Sequence, residues 1–241
     1  MRLGAALITL ALVAPACSSS DDADSVLVFA AASLAEAFTE IENAFETSHP
    51  DIDVVVNFGA SSTLATQIAN GAPVDVFASA DETNMKTVAD LIDGDIRTFA
   101  TNQLRIITRS GNPLGITSLD DLSDPSVLVV TCAPEVPIGA YTRDVLTRSG
   151  VEIRPVSFEE SVKGIVTKVI TGEADAGIVY TTDVIAAGSA ATGVEIPADL
   201  NVAVTYPVAR RTPERSAELF VDFLTSPEGV AVLTTHGFGS P

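Results

Sequence analysis

Short apolar runs alternate with amphipathic stretches along this chain, and the alternation happens in two successive blocks. That order restricts the fold more than any other feature of the sequence. Residues 26–31 (VLVFAA) form a continuous apolar run of the kind found in strands buried on both faces. Ser33, with Glu36 three positions on, reads as a capping box, and Leu34, Ala37, Phe38, Ile41 and Phe45 recur at helical spacing. The pattern then repeats: a strand over 52–58, a helix opened by Ser61 or Ser62 and stopped by Gly71-Ala72-Pro73, a strand over 74–79 and a helix over 81–92.

A strand over 103–108 and a helical turn at Ser118 lead into the second block. Strands are predicted at 127–131, 151–156 and 176–180, with helices at 139–148 and 160–170 and from about Thr182 onward. A strand over 202–208 returns. Thr212-Pro213 and Ser226-Pro227 each set a cap residue before a first-turn proline, so two helices are expected to close the chain. The expected fold class is α/β, each lobe a mostly parallel sheet flanked by helices. The closing segment has no sheet of its own, which implies that the chain crosses from lobe one to lobe two and back. Lobe one would take residues 26–104 and 206–241, and lobe two residues 105–205. A cleft between such lobes gathers strand ends and helix starts, where open sheets bind ligands.

The first residues read as an address. Arg2 precedes an uncharged run over 3–16, the length of a signal-peptide hydrophobic region and too short to span a bilayer. Small residues then meet Cys17, followed by a polar stretch. The expected processing is removal of a signal peptide, 1–16, lipidation of Cys17 and a flexible tether over 17–25, with ordinary secretion as the alternative. Either route puts the mature protein outside the cytoplasm. Cys132 is then left without a partner, in an apolar run that suits a buried small hydrophobe.

Thirteen Lys and Arg against 32 Asp and Glu give a net charge of −19. A chain so acidic, with no basic stripe, is not a nucleic-acid binder, and its contact with an acidic membrane would run only through the lipid. With no Trp and three Tyr, the core must be mostly aliphatic, and aromatic-stacking functions lose support.

The candidate chemistry lies in small-residue loops at helix starts. In 30–34 (AAASL) and 59–63 (GASST) a strand turns into a helix past side chains small enough for backbone N–H groups to approach a ligand. Helix N-termini carry unpaired donors and partial positive charge, which suit an anion. No phosphate-binding loop, dinucleotide fingerprint, zinc-protease motif or Cys/His metal spacing occurs, so no cofactor and no metal is expected. His49 and His236 read as helix-end residues. A hydrolase using Ser33 or Ser61 as nucleophile is the enzyme alternative, but the chain lacks the G-x-S-x-G elbow and any local sign of a base.

Six segments in order, 28–34 (VFAAASL), 59–68 (GASSTLATQI), 71–81 (GAPVDVFASAD), 136–139 (VPIG), 177–180 (GIVY) and 206–208 (YPV), resemble the molybdate-binding proteins of ATP-driven importers. The resemblance runs from Val26 to about Gly237. It implies a two-lobed periplasmic-binding-protein fold of type II holding one tetrahedral oxyanion, molybdate or tungstate, in its cleft, and delivery to an ABC permease by a monomer. The implied ligand set is the hydroxyls of Ser33 and Ser61 and the N–H of Ala80 from lobe one, with the N–H groups of Ile138 and Val162 and the Tyr180 hydroxyl from lobe two. Ile138 departs from the small residue expected between Pro137 and Gly139. Val162 serves only if its helix begins near Glu160 or Ser161, whereas Ser157 with Glu160 also reads as a capping box that would start it earlier. Lys163 suggests a counter-charge but reads better as a paired or solvated lysine. Another solute, such as sulfate, phosphate or an organic acid, is the alternative within binding proteins.

Overall fold

The computed structural model describes residues 24–241; the signal peptide, Cys17 and most of the tether lie outside the described residues. β1 (Asp24–Ala31) leads through a 3-10 turn (Ala32–Leu34) into α1 (Ala35–Ser48), and β2 (Ile52–Gly59) into α2 (Ser61–Ala69). β3 (Val76–Ala78) precedes the short α3 (Glu82–Thr87), and β4 (Arg97–Asn102) runs almost directly into β5 (Leu104–Arg109). β6 (Val129–Cys132), α4 (Pro137–Ser149), β7 (Ser157–Glu159), α5 (Val162–Thr171), β8 (Ala176–Tyr180), α6 (Thr181–Ala187) and β9 (Ala191–Glu195) follow. β10 (Val204–Arg210), α7 (Arg215–Leu224) and α8 (Pro227–Thr235) end the chain.

The strands form two five-stranded sheets, ordered β2-β1-β3-β10-β4 and β7-β6-β8-β5-β9. The two sheets follow one plan. In each, a central strand pairs parallel on both sides, β1 with β2 and β3, β6 with β7 and β8. In each, the other two ladders are antiparallel. The sheets are therefore mixed rather than mostly parallel. The reason lies in the crossings: the chain leaves the first sheet through β4 and re-enters it through β10, which pair antiparallel, and β5 receives it in the second.

Burial explains why these segments fold as they do. β1 ends in four fully covered residues, because α1 packs Ala37, Phe38, Ile41 and Phe45 on one face while α2 buries Leu64, Ala65 and Ile68 on the other. In a chain without Trp, phenylalanines supply the bulk of this lobe's core. Phe45 meets Phe220 edge-on at 5.3 Å, Phe38 meets Phe220 at 6.2 Å, and Phe99 leads on to Tyr206 at 6.2 Å. Such tilted and edge contacts suit aromatic quadrupoles.

Several expectations are corrected. The strand placed at 151–156 forms instead at β7, because Pro155 has no N–H to give a ladder. The helix expected over 81–92 stops at Thr87 and continues only as a 3-10 turn over Ala89–Leu91. β9, with no apolar alternation, was not expected at all; its pairing with β5 makes it the edge of the second sheet. Ser33 caps nothing, since its hydroxyl and the Glu36 carboxylate both have distant partners. Thr212 likewise bonds Asp75 Oδ1 at 3.0 Å, and Glu214 is the cap position of α7. Ser226 does cap α8, accepting from the Gly229 N–H at 3.2 Å ahead of Pro227.

Candidate functional site

Helix starts from both lobes face one small cavity of about 220 Å³, its mouth included. Ser33, Ser61, Ala80, Ile138, Val162 and Tyr180, separated by up to 147 positions in sequence, all line it. No Lys, Arg, His, Asp or Glu is among the lining residues.

Each donor is placed by local chain chemistry. At the start of α2 the N-cap is Ala60, whose carbonyl takes the Leu64 N–H, so the preceding N–H groups have no helical acceptor. Ser61 is thus inside the helix rather than capping it. At the start of α4, Pro137 has no N–H to offer, so the first free donor is that of Ile138. Gly139 lets this turn lie close to the β6 end: a Cβ there would stand 2.6 Å from the Cys132 carbonyl oxygen and nearer still to that of Ala133. α5 starts at Val162, with Ser161 as an extended N-cap residue that makes no side-chain cap bond. The early start at Ser157 does not occur, because Ser157 lies in β7 and donates to Glu159 Oε1 at 2.6 Å. The Val162 N–H is therefore at the first helical position, clear of the hydrogen-bond ladder.

The hydroxyls differ in how the protein treats them. Ser61 Oγ accepts from the Ala80 N–H at 2.9 Å, so the Ala80 donor acts on Ser61. Ser33 Oγ lies 3.0 Å from the hydroxyl of buried Tyr206. Tyr180 Oη is buried with no partner at all. A buried orphan hydroxyl is costly, at about 1–3 kcal/mol, and in a cavity wall it marks a place where something else is to be bonded. Burial above all, with Tyr206 next, holds the Tyr180 phenol well above its ordinary pKa, so it stays protonated and able to donate.

The nearby charges are already engaged. Asp81 caps α3, accepting from the Asn84 N–H at 2.8 Å and from Asn84 Nδ2 at 2.9 Å; burial raises its pKa against those bonds. Asp183 accepts from the Tyr180 N–H at 3.2 Å. Its other oxygen is 3.3 Å from Lys163 Nζ, an ion-pair distance without the angle of a hydrogen bond. Burial pushes Asp183 up to about 6, with Lys163 opposing. Lys163 also grips Glu36 of α1 at 2.7 and 2.8 Å, tying lobe two to lobe one. Burial lowers its pKa, but the two carboxylates outweigh that and leave it raised. As expected, Lys163 is a paired lysine.

The remaining candidates are structural. His236 bonds Glu40 Oε2 at 2.8 Å and His49 stacks on Phe45 at 4.4 Å, both away from the cavity. Cys132 is buried, and burial, with Glu159 and Asp183 adding to it, pushes its thiol up to about 12. Among the described residues no group of His, Cys, Asp and Glu could hold a metal ion. Tyr206 is the residue that sequence reasoning passed over; its segment was noticed, but its hydroxyl gives no local signal.

Two mixed sheets joined by two chain crossings, with a donor-lined cavity between them, define the type II periplasmic-binding-protein fold. The periplasmic molybdate-binding protein of Azotobacter vinelandii has this architecture: the two align with a TM-score of 0.78 at 24% identity, covering 90% of this chain and 99% of that one. The chain belongs to the bacterial extracellular solute-binding proteins, whose family pattern matches residues 26–239. It is 42% identical over 224 residues to the molybdate-binding protein ModA of Mycobacterium tuberculosis, covering 91% of this chain and 86% of that protein. It is 32% identical over 231 residues to ModA of Escherichia coli, covering 90% of each.

Proposed function

We propose that this protein captures molybdate, and tungstate with it, outside the cytoplasm and delivers the oxyanion to the permease of an ATP-driven importer. The observation that carries this reading is the cavity itself: small, uncharged and lined by N–H and hydroxyl donors from both lobes. Neutral dipoles aimed at one point stabilise an anion without a counter-ion, which suits a chain of net charge −19. The similarity to ModA supplies the choice of solute.

Tyr180, Ser33 and Ser61 donate through hydroxyls, and Ile138 and Val162 through backbone N–H groups. The Ala80 N–H contributes by holding Ser61. Residues 26–104 with 206–241 form one lobe and 105–205 the other, closing as a monomer over the ion. Cys17 carries the lipid that keeps the protein at the membrane. Among the described residues no helix is long and apolar enough to cross a membrane.

Thermal-shift and calorimetric titrations with molybdate, tungstate, sulfate and phosphate test the assignment. Molybdate and tungstate should bind together, sulfate far more weakly and phosphate most weakly. Sulfate or phosphate displacing molybdate at comparable concentration would refute it. For the anchor, Cys17→Ala should release the protein from membranes with anion binding unchanged; equal membrane association of both forms removes the lipid.

A further inference from the structure

Two of the cavity's hydroxyls have their proton direction set from behind. Ser61 Oγ accepts from the Ala80 N–H at 2.9 Å. A backbone amide can only donate, so the Ser61 proton must point elsewhere, and the cavity is the open side.

At Ser33 the partner is another hydroxyl, and either oxygen could donate by distance alone. The surroundings decide. Tyr206 is fully buried, with Ser33 as its close hydrogen-bond partner at 3.0 Å. If Ser33 donated, the phenol proton would be left in the core without an acceptor, which costs more than turning it toward Ser33. Asn102 adds to this. Its Oδ1 accepts from the Gln103 N–H at 2.9 Å, which fixes the amide so that Nδ2 is the free donor end. Nδ2 donates to Thr182 Oγ1 at 3.0 Å, so Asn102 offers the phenol proton no acceptor. The phenol proton is thereby directed to Ser33 Oγ, and the Ser33 proton to the cavity.

We propose that Tyr206 is a positioning and specificity-determining residue: by donating to Ser33 Oγ it turns the Ser33 proton into the cavity, so that Ser33 meets the ligand as a donor and the cavity favours fully deprotonated tetrahedral dianions over protonated ones. The inference rests on the oxyanion reading above and concerns what that site rejects. Of the lining hydroxyls, Tyr180, buried without a partner, and Ser161, whose side chain makes no cap bond, keep the freedom to accept. A protonated oxyanion must therefore either face a donor with its own O–H or take one of these two away from donating. Asp81 and Asp183, the nearest carboxylates, are bonded to Asn84, to the Tyr180 N–H and to Lys163, and so are engaged elsewhere.

Selenate and hydrogen arsenate make the test direct, being dianions of similar size that differ by one proton. In calorimetric titrations at mildly alkaline pH the unmutated protein should favour selenate by at least about tenfold. Tyr206→Phe should lower that preference at least about threefold and also weaken molybdate, since Ser33 can then turn to accept. In a Ser33→Ala background, Tyr206→Phe should leave the preference unchanged, because the residue acts through Ser33. A purely structural role would weaken both anions alike and would add in the double variant. An unchanged preference in Tyr206→Phe, or an additive double variant, overturns the proposal. So does equal binding of arsenate and selenate by the unmutated protein, an outcome that needs no variant to fold. Failure of the unmutated protein to bind molybdate would instead strike the oxyanion reading itself, and this inference with it.

Discussion

The two lobes present donors to the same cavity in opposite states of readiness. On the first lobe, Ser61 and Ser33 are already hydrogen-bonded to the protein behind them, through the Ala80 N–H and the Tyr206 hydroxyl. On the second, the N–H groups of Ile138 and Val162 stand at bare helix starts, and Tyr180 Oη is buried without a partner. Lobe one thus has its cavity hydroxyls already bonded, whereas lobe two carries polar groups that the protein leaves without partners. On the proposed reading the difference separates stability from affinity: lobe-one side chains would serve both, and lobe-two donors would serve binding at some cost to the empty fold.

The strongest way to break the contrast is at Gly139. A side chain there collides with the backbone carbonyls of Cys132 and Ala133, which are not free to move aside. Gly139→Val should shift the start of α4, remove measurable molybdate binding and cost about 1–3 kcal/mol of stability. Calorimetry with a urea melt checks both. Retained affinity would mean that the Ile138 donor is not where binding needs it.

Ser61→Ala comes next. It removes one hydrogen bond to a charged acceptor, weakening molybdate about ten- to a hundredfold, and also leaves the buried Ala80 N–H unpaired, destabilising the empty protein by about 1–3 kcal/mol. Tyr180→Phe is its counterpart on lobe two. The same affinity loss is expected, but the ligand-free protein should melt at an equal or higher temperature, because the substitution deletes an orphan hydroxyl. If the two variants destabilise the empty protein alike, the contrast between the lobes fails.

The smallest effect lies in pH. Asp183 is held at about 6, above its ordinary 3.8. Between those values the folded protein binds a proton more readily than the unfolded chain, so stability should fall as pH rises from about 4 to about 6 and stay level above. The slope should not exceed about 1.4 kcal/mol per pH unit. Asp183→Asn should flatten it in urea melts across that window. The same slope in the variant would place the titration elsewhere. Lys163 acts with the same sign in a different window: its pKa is raised, so its contribution is complete at neutral pH and is lost only as pH rises above its ordinary 10.5.

Much of the fold was legible because burial writes itself into local patterns. The run at 26–31 could only be a strand covered on both faces, and Phe38, Ile41 and Phe45 could only share a helix face. The errors fell where such patterns are weak. β9 is an edge strand with no apolar alternation, and Pro155 displaced β7 to the residues after it. The same holds in the site. Small residues at helix starts announced Ser33 and Ser61 as candidates, and the resemblance added Ile138, but nothing near Ser33 distinguished a capping serine from one held by a tyrosine.

The sequence by itself determined most of the strand and helix segments and where helix starts with free N–H groups fall. Those properties follow from neighbours a few positions away. Tertiary structure alone decided the hydrogen-bond partner of each hydroxyl. Ser33 meets Tyr206 across 173 positions, Lys163 meets Glu36 across 127, and Ala80 reaches Ser61 across 19. The sense of a hydroxyl's proton depends on what stands behind it in space. In this fold that was fixed only when β10 returned to the first sheet and brought Tyr206 against the start of α1.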